Sequence, residues 1–236
     1  MRIALMVLRK IFIVPFLFFQ IWNAARKYDG DYTKGFAIAK KISKHAISAG
    51  RVTLEVKGVE NIPKEDGFIF YPNHQGLFDT LTMYASSPKP FAGVIKREAS
   101  KVILLKQVLE ATGSLAMDRD DLRQSMEVIN QVTKEVKEGR NFVIFAEGTR
   151  SRQGNKLLDF KPGSFKAAQR AKCPIVPCAL INSFVPFDEN SIRRITVKLL
   201  YLEPMYYEEY SAMSTQEIAQ CVKGRIEVAI EKEGDA

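Results

Sequence analysis

The stretch GFIFYPNHQGLFDTLTMYAS, residues 67–86, carries the strongest fold signal in the chain. Phe68 to Tyr71 form a short uninterrupted apolar run, the pattern of a strand buried on both faces, and Pro72 ends it. Gly76 permits a tight bend, and Leu77 to Ser86 begin a helix. A buried strand that feeds a helix through a short polar turn belongs to an α/β sheet.

The flanking sequence repeats the alternation. RVTLEVKG (51–58) alternates as a strand, with Val52, Leu54 and Val56 on one side. Strands are expected at FAGVI (91–95), SLAM (114–117), NFVIFA (141–146), CPIVPCAL (173–180) and RRITVKLLYLEP (193–204). Helices are expected at 100–113, closed by Gly113, at 164–171 and at 214–233. Residues 121–139 give the clearest amphipathic helix, with Leu122, Met126, Ile129, Val132 and Val136 on one stripe and Gly139 as its stop. The expected fold is α/β, a mixed central sheet with helices packed on it, preceded by an N-terminal membrane-docking helix pair. The expected domains are residues 1–50 and residues 51–236. There is no glycine-rich dinucleotide fingerprint, no Walker loop and no internal repeat.

At 236 residues, 46% apolar and 26% charged, the chain has the composition of a folded protein with a sizeable core. Its three cysteines argue against a disulfide framework and for a reducing compartment. Cys173 and Cys178 have no second Cys/His pair beside them, so no metal is expected. Residues 1–57 hold eleven Lys/Arg against three Asp/Glu, which accounts for the whole net charge of +8. Segregated charge of this kind points to an anionic partner.

Residues 11–22, IFIVPFLFFQIW, are the most apolar stretch, too short and too interrupted by Pro15 and Gln20 for a spanning helix of about 20 residues. Basic flanks, Trp22 and Tyr28 suit a helix lying in one leaflet. A second basic, apolar helix is expected within 32–50, with Phe36, Ile38, Ala39, Ile42, Ala46 and Ile47 at helical spacing and Gly50 as its stop. The alternative is a helix pair packed on the protein's own core. The region lacks a groove-reading motif, so no nucleic-acid partner is expected.

One of only two histidines, His74, lies in the turn after the first buried strand, five residues before Asp79. On a continuous helix the two would face about 140° apart. With His74 on the turn and Asp79 at the following helix N-terminus, they can pair as a base and its orienter. Taken alone, the pair is weak evidence and reads more readily as a helix cap beside a turn residue.

Its companions are FAEGTRSR (145–152), with Gly148, Thr149, Arg150 and Arg152, then KPGSF (161–165), Arg119 in AMDRDD (116–121) and Lys96 in VIKRE (94–98). Guanidinium groups at strand ends suit phosphate oxygens. Taken together, NHQGLFD (73–79), GSLAMDR (113–119), FAEGTRS (145–151) and IVPCAL (175–180, with Pro177) resemble the four blocks of the glycerolipid acyltransferases, whose best-studied branch uses 1-acyl-sn-glycerol-3-phosphate. Met117 and Cys178 depart from the usual residues by apolar exchange only.

The resemblance implies acyl transfer from a thioester of coenzyme A or acyl carrier protein to the sn-2 hydroxyl of lysophosphatidate, giving phosphatidic acid. No cofactor and no covalent acyl-enzyme are implied. His74 would be the general base and Asp79 its orienter. Glu147, Gly148, Thr149 and Arg150 would hold the glycerol phosphate, helped by Arg119, Lys96 and Arg152. The implied setting is a peripheral or monotopic membrane protein facing the cytoplasm, on an anionic membrane surface. Other readings keep the dyad with glycerol-3-phosphate or a lysophospholipid as acceptor, use it for thioester hydrolysis, or retain the fold without chemistry.

Overall fold

The computed structural model describes residues 1–98, 102–118 and 120–234. Three helices open the chain, α1 (Arg2–Arg9), α2 (Val14–Arg26) and α3 (Thr33–Ala49). Strand β1 (Val52–Lys57) and β2 (Ile69–Pro72) follow, then α4 (Phe78–Ser86), β3 (Ala92–Lys96), α5 (Leu105–Ala111) and β4 (Leu115–Met117). Next come α6 (Leu122–Lys137), β5 (Phe142–Ile144), α7 (Lys166–Ala171), β6 (Ile175–Ile181) and α8 (Val185–Asp188). The chain ends with β7 (Ile195–Tyr201), α9 (Tyr207–Tyr210) and α10 (Thr215–Gly234).

The seven strands form one sheet in the order β1-β7-β6-β2-β5-β3-β4. β6, β2, β5, β3 and β4 run parallel to one another. β7 is antiparallel to β6, and β1 is parallel to β7, which makes the sheet mixed as expected. β2 lies between β6 and β5, so the loops leaving β2 and β5 emerge side by side at the same edge.

Strand alternation sorts the core into two layers. Ile69, Tyr71, Phe142, Ile144, Ile175 and Ala179 face α6, α7 and α10, meeting Val132, Ala168, Val222 and Ile226. Phe68, Phe70, Val143, Val176 and Leu180 face the other way, toward Met83 and Tyr84 of α4. Ile21 of α2 and Phe36 and Ala39 of α3 are buried in that second layer. Phe36 meets Phe91 edge-on at 5.1 Å and Tyr84 at 5.6 Å between ring centroids.

The first fifty residues therefore supply a face of the core. Their opposite face is apolar and open: Leu8, Ile11, Phe12, Phe16, Phe19 and Trp22 are exposed, Phe12 to 94%. α1 and α2 bend by 94° at the break between them, and Pro15 stands in the first turn of α2, where its missing N–H costs nothing. Among the described residues, no single helix is long and apolar enough to cross a membrane.

Candidate active site

The site forms where the β2 and β5 loops meet. Asn73 continues the β2–β6 pairing through its side chain: its Nδ2 donates to the Leu180 carbonyl (3.0 Å), and its Oδ1 accepts from the Leu180 N–H (2.7 Å). His74 is then held at both backbone ends. Its N–H donates to Glu147 Oε1 (2.7 Å), and its carbonyl accepts from the Ser151 N–H (2.9 Å). Gln75 accepts from the Ser183 N–H (2.9 Å) and donates to Asn155 Oδ1 (2.9 Å). At Gly76 a Cβ would lie 2.9 Å from the Phe184 Cα, so only glycine fits this approach.

This turn delivers His74 to Asp79, the second residue of α4. Asp79 is fully buried, and its Oδ2 accepts from the Gln75 N–H (2.7 Å), the Gly76 N–H (3.0 Å) and His74 Nδ1 (2.7 Å). A carboxylate there assigns the proton to Nδ1 and leaves Nε2 with a free lone pair. The His74 ring packs against Phe145 at 4.3 Å between centroids. The carboxylate is thus fixed by backbone donors before it touches the imidazole.

Glu147 is buried, and both of its oxygens are occupied within the protein: Oε1 by the His74 N–H and Oε2 by the Leu158 N–H (3.0 Å). Burial raises its carboxyl above the ordinary value, and the two N–H donors oppose that rise. Gly148 takes a left-handed conformation (φ +75°), the turn that aims the following residues outward. Thr149 is exposed and Arg150 half-buried. Arg150 Nη1 lies 3.7 Å from Asp188 Oδ1, and Arg150, Arg152, Gly154, Phe184 and Asp188 line an open groove beside the His74 turn.

The structure thus brings His74, Glu147, Gly148, Thr149, Arg150 and Arg152 together on two adjoining loops, with Asp79 at the start of α4. Lys96 ends β3 at the same sheet edge, two strand positions from β2, and is paired with Glu98 at 3.2 Å. Arg119 lies outside the described residues. Sequence reasoning missed Asn73, Gln75, Asn155, Leu158 and Asp188. Asn73 and Gln75 carried a signal, as polar residues flanking His74 after an apolar run. Asn155 and Asp188 carried none, because only the fold brings them to the turn. Among the described residues, no three or more His, Cys, Asp or Glu side chains are placed to hold a metal ion.

Residues 53–181 match the model of the family described as Acyltransferase, more than half of the chain. The chain belongs to this acyltransferase family. The matched span contains all four sequence blocks and the whole His74–Asp79 turn. Among curated relatives, the 1-acyl-sn-glycerol-3-phosphate acyltransferase of Helicobacter pylori is 30% identical, covering 58% of this chain and 62% of its own length. That of Salmonella typhimurium is 31% identical, covering 69% of this chain and 66% of its own length. The alignments thus span somewhat under two thirds of these relatives. The crystal structure of the 1-acyl-sn-glycerophosphate (LPA) acyltransferase PlsC from Thermotoga maritima superposes with a TM-score of 0.79 at 22% identity, over 100% of this chain and 99% of that one, and shows the same fold.

Proposed function

We propose that this member of the acyltransferase family moves a fatty acyl group from an acyl thioester to the sn-2 hydroxyl of 1-acyl-sn-glycerol-3-phosphate. The observation that carries this reading is the His74 Nδ1–Asp79 Oδ2 contact at 2.7 Å, set beside the groove of Arg150 and Arg152. The kinship with proteins named for that activity supports the acceptor.

In this mechanism Asp79 fixes the imidazole, and Nε2 takes the proton of the acceptor hydroxyl as its oxygen attacks the thioester carbonyl carbon. The tetrahedral intermediate collapses with cleavage of the C–S bond, and Nε2–H protonates the departing thiolate. The base is thereby restored, and no covalent acyl-enzyme forms. Burial pushes the Cys173 thiol up to about 12 and that of Cys178 well above its usual value, so neither is a competing nucleophile. Arg150 releases Asp188 to hold the phosphate monoester with Arg152, an arrangement suited to bidentate contacts. Glu147 acts by holding the His74 backbone. The acyl donor is a thioester of coenzyme A or acyl carrier protein.

The exposed apolar surface of α1, α2 and the turn between them seats the protein on the membrane that contains its acceptor, as a peripheral or monotopic protein facing the cytoplasm. The deciding assay follows thiol release from an acyl thioester with and without lysophosphatidate, on wild type and His74→Ala. Release that needs both the acceptor and His74 is the expected result. Release without acceptor would make the protein a hydrolase, and preference for glycerol-3-phosphate or a head-group-capped lysophospholipid would change the acceptor.

A further inference from the structure

On the side of α3 that faces the α1–α2 turn lies a groove lined by Lys10, Lys40, Lys41, Lys44, His45 and Ser48, with Ala37 as its one apolar residue. No carboxylate lines it. Lys40 is partly committed, since its Nζ donates to the Ser87 carbonyl at 2.6 Å. Lys41 and Lys44 are exposed, and among the described residues neither they nor Lys10 forms an ion pair. Burial, then the charges of Lys10 and Lys41, hold the His45 imidazole below its usual value, so the ring is neutral at physiological pH and still has an N–H to donate. Convergent like charges without counter-charges repel one another, and an anion relieves that repulsion.

The groove's position says what that anion is. Lys10 directly precedes Ile11 and Phe12, the exposed turn, and Lys41 Nζ lies 5.7 Å from the ring centroid of Phe16. The cations thus stand at the base of the apolar surface, the relation that a lipid phosphate has to its acyl chains. We propose that this groove is a discrete site for the phosphate of an anionic membrane lipid, an inference that rests on the membrane-docked reading above. The site is separate from the Arg150 groove. It would bind a lipid that is not consumed and fix the rotational setting of the domain on the bilayer.

The test uses the full chain and vesicle sedimentation, comparing phosphatidylcholine alone with phosphatidylcholine containing about 30 mol% phosphatidylglycerol at moderate salt. Wild type is expected to bind the anionic vesicles about tenfold or more tightly than the zwitterionic ones. Lys41→Gln/Lys44→Gln should keep the zwitterionic affinity and lose most of that increment. Lys27→Gln/Lys34→Gln removes the same charge from exposed positions outside the groove and should keep most of it. Equal losses in the two double variants would replace the site with diffuse charge attraction, and no loss in either would also overturn it. Absence of wild-type binding to both vesicle types would instead defeat the docking reading itself. Calorimetric titration with inorganic phosphate closes the remaining case: saturable phosphate binding that needs Lys41 and Lys44, without any vesicle increment, would assign the groove to a soluble anion and overturn the lipid.

Discussion

Asp79 illustrates how one buried carboxylate can be fixed by the backbone and still serve a side chain. With two N–H donors on the oxygen that faces His74, Asp79→Asn would put an amide that both donates and accepts where three donors converge. Under the proposed mechanism this variant should lose acyl transfer by about a hundredfold or more in kcat while still binding acceptor, as orienter losses in related constellations do. Glu147 separates two roles that its sequence motif confounds. If it holds the His74 backbone, Glu147→Gln should lower kcat with little change in KM for lysophosphatidate; a rise in KM alone would make it an acceptor ligand. The same variant bears on pH. Because burial raises the folded Glu147 value above 4.5, the folded chain binds a proton there that the unfolded chain has released. Its contribution to stability is full below pH 4.5 and is lost as pH rises through the raised value. Urea midpoints of wild type should show that fall, and those of Glu147→Gln should lack it.

At the scale of elements, α1 is held by two arginines that reach the end of α3. Arg2, buried to 2% exposure, donates to the Gly50 carbonyl at 2.6 Å and the Arg193 carbonyl at 3.0 Å, while Arg9 donates to the Ala49 carbonyl at 3.0 Å. They cap orphan carbonyls where the helix dipole favours cations. Burial pushes the Arg2 guanidinium down from its usual value, with Glu189 opposing that shift. Arg2→Ala strands two carbonyls and should lower the unfolding free energy by about 1.5–3 kcal/mol. Arg2→Met keeps the packing and should cost less, a difference that chemical denaturation would resolve.

For the whole molecule, the N-terminal helices belong to the core as well as to the outer face. Ile21, Phe36 and Ile47 are buried, and exposing such side chains costs about 1.5–3 kcal/mol each, a sum comparable with the total stability of a domain of about 5–15 kcal/mol. Residues 51–236 alone should therefore fail to give a cooperative unfolding transition. Substitutions on the exposed face, such as Phe12→Ser with Phe16→Ser, are the way to test docking without unfolding, and they should weaken binding to phosphatidylcholine vesicles. The burial of Cys173 and Cys178 likewise predicts that neither reacts with a thiol reagent at neutral pH until the protein is denatured.

Most of the alternation of strands and helices was legible in the chain, because apolar periodicity and glycine stops are local; the single-turn helices α8 and α9 were not, being too short to show a period. The sequence by itself also placed His74 and Asp79 on a turn and a helix start, because a strand that must end before a helix leaves few conformations for NHQG. The order of the sheet was not legible. It depends on crossovers that put β2 against β5, although residues 73–141 lie between them in the chain. That adjacency sets Glu147 on the His74 backbone, and β6 brings Ser183 to the same turn. Likewise, the apolar N-terminal residues announced a surface-seeking segment, but not which residues would turn inward. Tertiary packing decided that, since a helix shows its two faces only once one of them has a sheet to lie on.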